Sequence, residues 1–171
     1  MKKAAIITSI AISVFCFWLW AKGQPGPEDT TTYYLVRHAE KASEQKEDPG
    51  LSDMGRARAQ KIAVMLKDKK VTRLYSTPFK RTKQTLQPLA DLFDLNILIY
   101  DYRDQATIAG MIADCKGKIC VIAGHSNTIP QLANLLIGEE VYAEMDDSDY
   151  TKMWEIMLMG DKVIGHKVIV Y

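Results

Sequence analysis

Two of the three histidines directly follow short runs of residues that favour β-strands. His38 comes after residues 33–36 and Arg37, and His125 comes after the apolar run 119–123 and a glycine. A neutral imidazole nitrogen can attack phosphorus and form a covalent intermediate that water later resolves. The spacing therefore indicates a candidate nucleophile and a second imidazole at the ends of two predicted strands.

A second arginine follows another predicted strand, at residues 71–75. Arg81 is the fourth residue beyond Thr77, so we expect it to project from the first turn of a helix whose N-terminus is electropositive. If the first and fourth strands are neighbours, two imidazoles and two guanidinium groups share one pocket. Such a pocket suits a phosphoryl dianion.

The remaining histidine and the cysteines give no comparable signal. His166 falls inside the last predicted strand without basic neighbours, and we expect it to be an ordinary surface or core residue. Cys115 and Cys120 flank a short turn, where they either form a disulfide or pack as two small buried side chains. Because there is neither a C-x-x-C pair nor a Cys/His cluster, no metal site is predicted.

The elements that must position these residues alternate between strands and helices. Ser52 precedes a helical apolar pattern, and Thr77 with Pro78 predicts a helix start, while Pro88 is expected to kink or shorten that second helix. Further strands are predicted at 33–36, 71–75, 96–100 and 119–123, further helices at 107–115 and 128–136, and a terminal hairpin at 153–159 and 162–171. The alternation predicts an α/β three-layer sandwich with a mostly parallel central sheet and helices on both faces. Ligands bind at the carboxyl ends of strands in such sheets.

The N-terminus has the composition of a targeting segment. Two lysines precede residues 4–21, which form a run of 18 residues without a charge. This length fits either a signal peptide or an uncleaved membrane anchor. Cys16 is preceded by Phe15 rather than by the small residue of a lipoprotein signal, which disfavours that third alternative. In each case the rest of the chain is expected on the extracytoplasmic, periplasmic side.

These segments divide the 171 residues into three parts. Residues 1–23 are the predicted signal peptide or anchor, 24–32 a Pro/Gly-rich polar linker, and 33–171 one domain. The whole chain has a formal charge of +1, and the part after residue 23 has 19 basic and 21 acidic residues. This balance excludes the strongly basic class of nucleic-acid-binding domains, and membrane contact is predicted through the N-terminal segment alone.

Four segments resemble motifs of the histidine phosphatase superfamily, in its phosphoglycerate mutase-like branch, and they occur in the family's order. Residues 35–41 are similar to the R-H-G/A signature, and residues 51–60 to the L-[ST]-x-x-G segment. Residues 74–85 resemble the S-[ST]-P-x-x-R motif, and residues 124–127 the G-H-[SG] element. The resemblance implies the phosphoglycerate mutase-like fold and a phosphomonoester hydrolase that uses neither metal nor cofactor.

The resemblance also implies roles for individual residues. His38 is the phosphorylated nucleophile, while Arg37, Arg81 and His125 bind the phosphate and stabilise charge during transfer. His125 is accordingly both a catalytic and a phosphate-binding candidate. The implied substrate is a small phosphorylated molecule.

The sequence departs from the family pattern in its proton donor. The mutase-like branch places a glutamate shortly after the third strand, whereas residues 100–106 contain none. Asp104 is the favoured substitute and Asp101 the alternative, although either can equally be a helix N-cap ahead of Ile108. Without an acid, good leaving groups such as a phosphoramidate or an aryl phosphate are expected to react best.

Three functions remain open at this stage. The first is an exported, tethered phosphohydrolase; export disfavours mutase activity on glycolytic intermediates. The second is a phosphohistidine protein phosphatase of the small bacterial type. The third is a non-catalytic phosphoryl-binding protein that keeps the pocket but lacks the acid.

Overall fold

The computed structural model describes residues 30–43 and 47–171. The predicted signal peptide or anchor, and the predicted linker as far as residue 29, lie outside the described residues. Within the described part of the chain, no helix is long and apolar enough to cross a membrane.

In the part of the chain that the structure describes, six strands form one sheet, and four helices connect or flank them. The strands are β1 (Thr30–Arg37), β2 (Arg73–Ser76), β3 (Ile97–Ile99), β4 (Ile119–Gly124), β5 (Lys152–Met159) and β6 (Lys162–Val170). The helices are α1 (Asp53–Leu66), α2 (Lys80–Phe93), α3 (Gln105–Asp114) and α4 (Thr128–Ile137). The strand order is β3-β2-β4-β1-β5-β6, with β3, β2, β4 and β1 mutually parallel and the β5–β6 hairpin antiparallel. The predicted mostly parallel sheet and terminal hairpin are confirmed.

Helices cover both faces of the sheet. Alternate residues of β1 point to opposite sides: Tyr34 and Val36 belong to the core under α1 and α2, whereas Tyr33 and Leu35 belong to the core under α3 and α4. The three-layer sandwich is therefore confirmed. β4 is buried along nearly its whole length because both of its faces are covered.

The sheet order brings the two histidine-bearing strand ends together. β1 and β4 are parallel neighbours in a register that places Arg37 opposite Gly124. The amide of His38 then donates a hydrogen bond of 2.9 Å to the Gly124 carbonyl. Hence His38 and His125 leave the same edge of the sheet side by side.

Helix α1 begins as predicted and packs closely on the loop after β1. The Ser52 hydroxyl accepts a hydrogen bond from the Gly55 amide, as expected of an N-cap. A β-carbon at Gly55 would collide with the backbone of Glu40. Glycine is therefore required here because helix and loop backbones touch.

Strand β1 starts three residues earlier than predicted, at Thr30. Residues 30–32, the end of the predicted linker, pair with residues 157–159 of β5. The Thr31 hydroxyl also accepts a hydrogen bond of 2.9 Å from the Gly117 amide. The predicted linker boundary at residue 32 is wrong. Residues 30–32 are threonines at the end of a polar segment, and they form a strand because they pair with β5, which is distant in sequence.

Helix α2 also differs from its prediction. It begins at Lys80 with Phe79 as the capping residue, so Thr77 is not the N-cap. Pro88 lies inside the helix, which continues to Phe93, so the predicted shortening is wrong. Packing of Leu86, Leu89 and their neighbours against the sheet stabilises the helix on both sides of the proline.

The two cysteines of the central turn form a disulfide. Cys115 ends α3 and Cys120 lies in β4, with their Cα atoms 6.0 Å apart. Both residues are completely buried. Of the two alternatives open from the sequence, the structure has the bonded pair.

Candidate active site

The four side chains singled out in the sequence converge at the carboxyl ends of β1 and β4. The ring centroids of His38 and His125 are 5.5 Å apart. Arg81, from the first turn of α2, places Nη2 3.5 Å from Nδ1 of His125. Arg37 and His38 are only 6% and 5% exposed. The structure thus brings together two imidazoles and two guanidinium groups in a largely buried cluster.

Among the described residues, one ring nitrogen of His38 has a hydrogen-bond partner and the other has none. Its Nδ1 lies 2.8 Å from the carbonyl oxygen of Ala39, which can only accept, so we assign the proton to Nδ1 and the lone pair to Nε2. The Ala39 backbone is itself held, because its amide donates to the Thr85 hydroxyl at 2.9 Å. The tautomer of His38 is therefore fixed by backbone geometry.

Burial keeps the His38 imidazole neutral. Burial is the main reason that the pKa of His38 is lowered to about 3, and the positive charges of Arg81 and Arg37 act in the same direction. The hydrogen bond to the backbone carbonyl opposes this shift only in part. At neutral pH His38 is accordingly a nucleophile rather than a cation.

His125 is oriented by residues of the β2–α2 connection. Because an arginine only donates, Nδ1 of His125 accepts from Arg81, and Nε2–H donates to the Thr77 hydroxyl at 3.1 Å. The Thr77 hydroxyl then donates to the Thr82 hydroxyl at 2.9 Å. Thr77 therefore positions the second histidine instead of capping a helix.

The pKa of His125 is also lowered, to about 4. Burial is the largest cause, and the charges of Arg81 and Arg37 add to it. A bound phosphoryl dianion would offset those positive charges and favour the imidazolium. His125 can thus gain a proton when an anion binds and then donate hydrogen bonds to it.

Arg37 contacts a segment that the sequence prediction missed. Its Nη1 donates to the carbonyl oxygens of Asp146 and Asp149 at 3.0 and 2.9 Å. Its Nη2 lies 3.4 Å from Oδ1 of Asp147, and its guanidinium carbon lies 4.2 Å from the ring centroid of Tyr150. The cluster of aspartates just before β5 is visible in the sequence. Nothing in the sequence, however, indicates that this cluster contacts an arginine 110 residues away.

Both phosphate-binding candidates retain a buried donor without a protein partner. Nε of Arg37 and Nε of Arg81 are buried, and neither has a hydrogen-bond partner among the described residues. Buried donors are normally paired, so two such groups beside two histidines suggest a site built to receive an oxyanion.

Aromatic rings surround the histidine pair. The rings of Phe79 and Tyr102 lie 5.0 and 5.6 Å from that of His125, and the Tyr150 ring lies 6.0 Å from that of His38. These rings restrict the approach to the imidazoles and lower the local polarity, consistent with the burial that keeps both imidazoles neutral.

Among the described residues, the predicted proton donor makes no hydrogen bond or ion pair with the two histidines or the two arginines of the cluster. Asp104 is the N-cap of α3, where its carboxylate accepts from the Ala106 amide at 3.0 Å and the Thr107 hydroxyl at 2.6 Å. Those hydrogen bonds lower the pKa of Asp104, whereas a general acid must hold a proton. Its hydrogen bonds to described residues all lie within α3 and the loop before it, so the preference for Asp104 is not supported.

The alternative donor and the third histidine have other partners among the described residues. Asp101 forms an exposed ion pair with Arg103, whose hydrogen bonds lower the pKa of that carboxyl. His166, on β6, is hydrogen-bonded to the Tyr142 hydroxyl at 2.8 Å. It is a surface residue, as expected.

Comparison with known proteins supports the same family. The profile of the histidine phosphatase superfamily (branch 1) matches residues 33–102, a segment that includes Arg37, His38 and Arg81. His125 lies beyond the matched segment, and the pairing of β4 with β1 brings it next to His38. No curated protein matches the chain in sequence.

Solved structures with the same fold span the described domain. A mycobacterial glucosyl-3-phosphoglycerate phosphatase matches with a TM-score of 0.65 at 13% identity, covering 83% of this chain and 98% of that one. The protein histidine phosphatase SixA, complexed with tungstate, matches with a TM-score of 0.65 at 18% identity, covering 81% and 96%. At these identities the likeness establishes the phosphoglycerate mutase-like fold and leaves the substrate to be argued from the site.

Proposed function

We propose that the chain is a member of the histidine phosphatase superfamily, whose profile matches residues 33–102, and that it is a phosphomonoester hydrolase in which His38 carries the phosphoryl group during turnover. The observation that carries the proposal is the neutral His38 imidazole. Its Nδ1–H donates a hydrogen bond to a backbone carbonyl, and the ring lies among two arginines and a second histidine. A free Nε2 lone pair beside buried cationic donors is the arrangement that nucleophilic attack on phosphorus needs.

The reaction proceeds in two steps. Nε2 of His38 attacks phosphorus, the bond to the leaving oxygen breaks, and a phosphohistidine forms. Arg37, Arg81 and His125 bind the phosphoryl oxygens and stabilise the charge that they carry in the transition state. Water then attacks phosphorus, releases inorganic phosphate and restores the imidazole.

The proposed location is extracytoplasmic, with the domain tethered by an N-terminal anchor or released after cleavage of a signal peptide. The uncharged run at residues 4–21 behind two lysines supports it. The disulfide between Cys115 and Cys120 supports it independently, because such bonds persist mainly in oxidising compartments. The corresponding substrates are small phosphorylated molecules on that side of the membrane.

A second candidate is a phosphohistidine phosphatase. It is favoured by the hydrogen bonds of Asp104 and Asp101, which lower the pKa of both carboxyls and engage them in a helix cap and an ion pair with Arg103. A phosphoramidate leaving group needs less help from an acid than an alkyl oxygen does. The third candidate, a non-catalytic binding protein, predicts phosphate binding without turnover.

Kinetics with two leaving groups and two variants test these alternatives. The full chain, purified in mild detergent, is assayed on p-nitrophenyl phosphate and on phosphoramidate, alongside His38→Asn and His166→Asn. Turnover that is lost in His38→Asn and retained in His166→Asn supports the hydrolase. Turnover of phosphoramidate alone favours the phosphohistidine phosphatase, and phosphate binding without turnover of either compound favours the binding protein.

A further inference from the structure

One carboxylate contacts the pocket from the segment that precedes β5. Oδ1 of Asp147 accepts a hydrogen bond of 3.1 Å from the Ser126 hydroxyl, next to His125, and lies 3.4 Å from Nη2 of Arg37. The side chain is 92% exposed. Asp147 is thus held against the phosphate-binding machinery on one side and is open to solvent on the other.

The backbone around Asp147 is hydrogen-bonded to residues of the same pocket, Ser126 and Arg37. The Met145 amide donates to the Ser126 carbonyl at 3.0 Å, and Arg37 donates to the carbonyls on either side of the Asp147–Ser148 pair. The position of the carboxylate is therefore set by the residues that bind phosphate and not by a free loop.

A bound phosphoryl group changes the surroundings of this carboxylate. The dianion competes for Nη2 of Arg37, which leaves Asp147 beside negative charge rather than paired with a cation. Among the described residues, the groups that contact the Asp147 carboxylate are the Arg37 guanidinium and the Ser126 hydroxyl, whereas the Asp146 and Asp149 carboxylates bond to Ser148 and to Thr151 and Lys152.

We propose that Asp147 is the proton donor to the leaving oxygen, a role that rests on the proposed function of the site. As Nε2 of His38 bonds to phosphorus, the bond from phosphorus to the leaving oxygen breaks, and that oxygen takes the proton of the Asp147 carboxyl. In the second step the Asp147 carboxylate accepts a proton from the attacking water. The acid is thereby restored, and inorganic phosphate leaves.

A second carboxylate near the pocket is less suited to this role. Asp48 lies 3.9 Å from Nη1 of Arg81, but its Oδ1 accepts a hydrogen bond of 2.9 Å from the Lys80 amide at the start of α2. A helix N-terminus stabilises the ionised carboxylate. Asp147 has no such backbone donor among its described contacts, which are with the Ser126 hydroxyl and the Arg37 guanidinium.

The test compares leaving groups. Wild type, Asp147→Asn, Asp48→Asn and Glu144→Gln are assayed on p-nitrophenyl phosphate, whose leaving group needs little protonation, and on phenyl phosphate, whose leaving group needs more. Glu144 is an exposed residue near Asp147, and its substitution removes one negative charge without touching Arg37. We expect Asp147→Asn to lower kcat/KM for phenyl phosphate by about 100-fold relative to p-nitrophenyl phosphate. Glu144→Gln leaves that ratio unchanged.

Binding of inorganic phosphate provides the second measurement and shows that the variant is folded. Because Asp147 competes for Arg37, calorimetry is expected to show phosphate binding about two- to five-fold tighter in Asp147→Asn than in wild type. A merely structural residue would weaken binding when replaced.

Three results overturn the assignment. The first is an equal ratio of the two rates in Asp147→Asn and wild type. The second is a change of that ratio in Asp48→Asn instead of Asp147→Asn. The third is weaker phosphate binding in Asp147→Asn than in wild type. Failure of the proposed function gives a different result, because wild type then shows no turnover that depends on His38 with either compound.

Discussion

The buried neutral state of His38 makes the stability of the domain depend on pH in a predictable direction. Its pKa is about 3 in the folded protein, compared with the ordinary value of 6.5. Between these values the unfolded chain binds a proton at this residue and the folded chain does not. The free energy of unfolding therefore falls as pH falls from neutrality toward the folded pKa.

The size of this effect follows from the two pKa values. At about pH 5 the unfolded histidine is protonated while folded His38 remains neutral, a difference worth about 2 kcal/mol relative to about pH 7.5. His125 is more exposed and adds a smaller loss in the same direction. Carboxylates contribute mainly at lower pH, because their unfolded pKa values are about 4.

Urea denaturation at the two pH values, followed by circular dichroism, measures the effect. We expect His38→Asn to lack about 2 kcal/mol of the drop in unfolding free energy that wild type shows. His166→Asn, which removes a surface histidine, keeps the full drop. A full drop in His38→Asn, or an imidazole of His38 that titrates near its ordinary pKa by NMR, would refute the reasoning.

Three further predictions concern packing, the disulfide and the second histidine. Gly55→Ala forces the α1 backbone away from the loop after β1, and we expect it to lower the free energy of unfolding by about 1–3 kcal/mol and to abolish turnover. At Gly110, inside α3, an added β-carbon meets no other atom, so we expect Gly110→Ala to raise the free energy of unfolding by about 0.5–1 kcal/mol. Replacing Cys115 and Cys120 together by alanine is expected to lower the free energy of unfolding by roughly 2 kcal/mol in denaturation experiments, and an unchanged value would mean that the bond does not form. Thr77→Val removes the acceptor for Nε2–H of the second histidine and is expected to weaken phosphate binding by about ten-fold in calorimetry, while Thr77→Ser, which keeps the hydroxyl, restores it.

The sequence was sufficient to predict the parts of the site that depend on local pattern. His38 and His125 each follow an apolar strand, and parallel strands end at one edge of a sheet, so their convergence required only that β1 and β4 be neighbours. The helix capped by Ser52 likewise follows from a short local pattern. These features depend on residues close together in the chain.

Features that depend on distant contacts could not be predicted in the same way. Thr77 has the residue type of an N-cap, but burial beside His125 gives its hydroxyl a different partner 48 residues away. Asp104 is of a residue type that can act as a general acid, but in the structure its carboxylate caps α3. The contacts between Arg37 and the segment before β5 join residues about 110 positions apart, with no periodic pattern to reveal them.

The phosphorylated intermediate is the most direct test of the account. The full chain is mixed rapidly with p-nitrophenyl phosphate, quenched without acid, digested and analysed by mass spectrometry, with His38→Asn and His166→Asn treated in parallel. We expect one phosphoryl group on the peptide that contains His38, formed and lost at rates that match turnover, absent in His38→Asn and retained in His166→Asn. Continued turnover with His38 unmodified, or a phosphoryl group on another residue at the same rates, would contradict it.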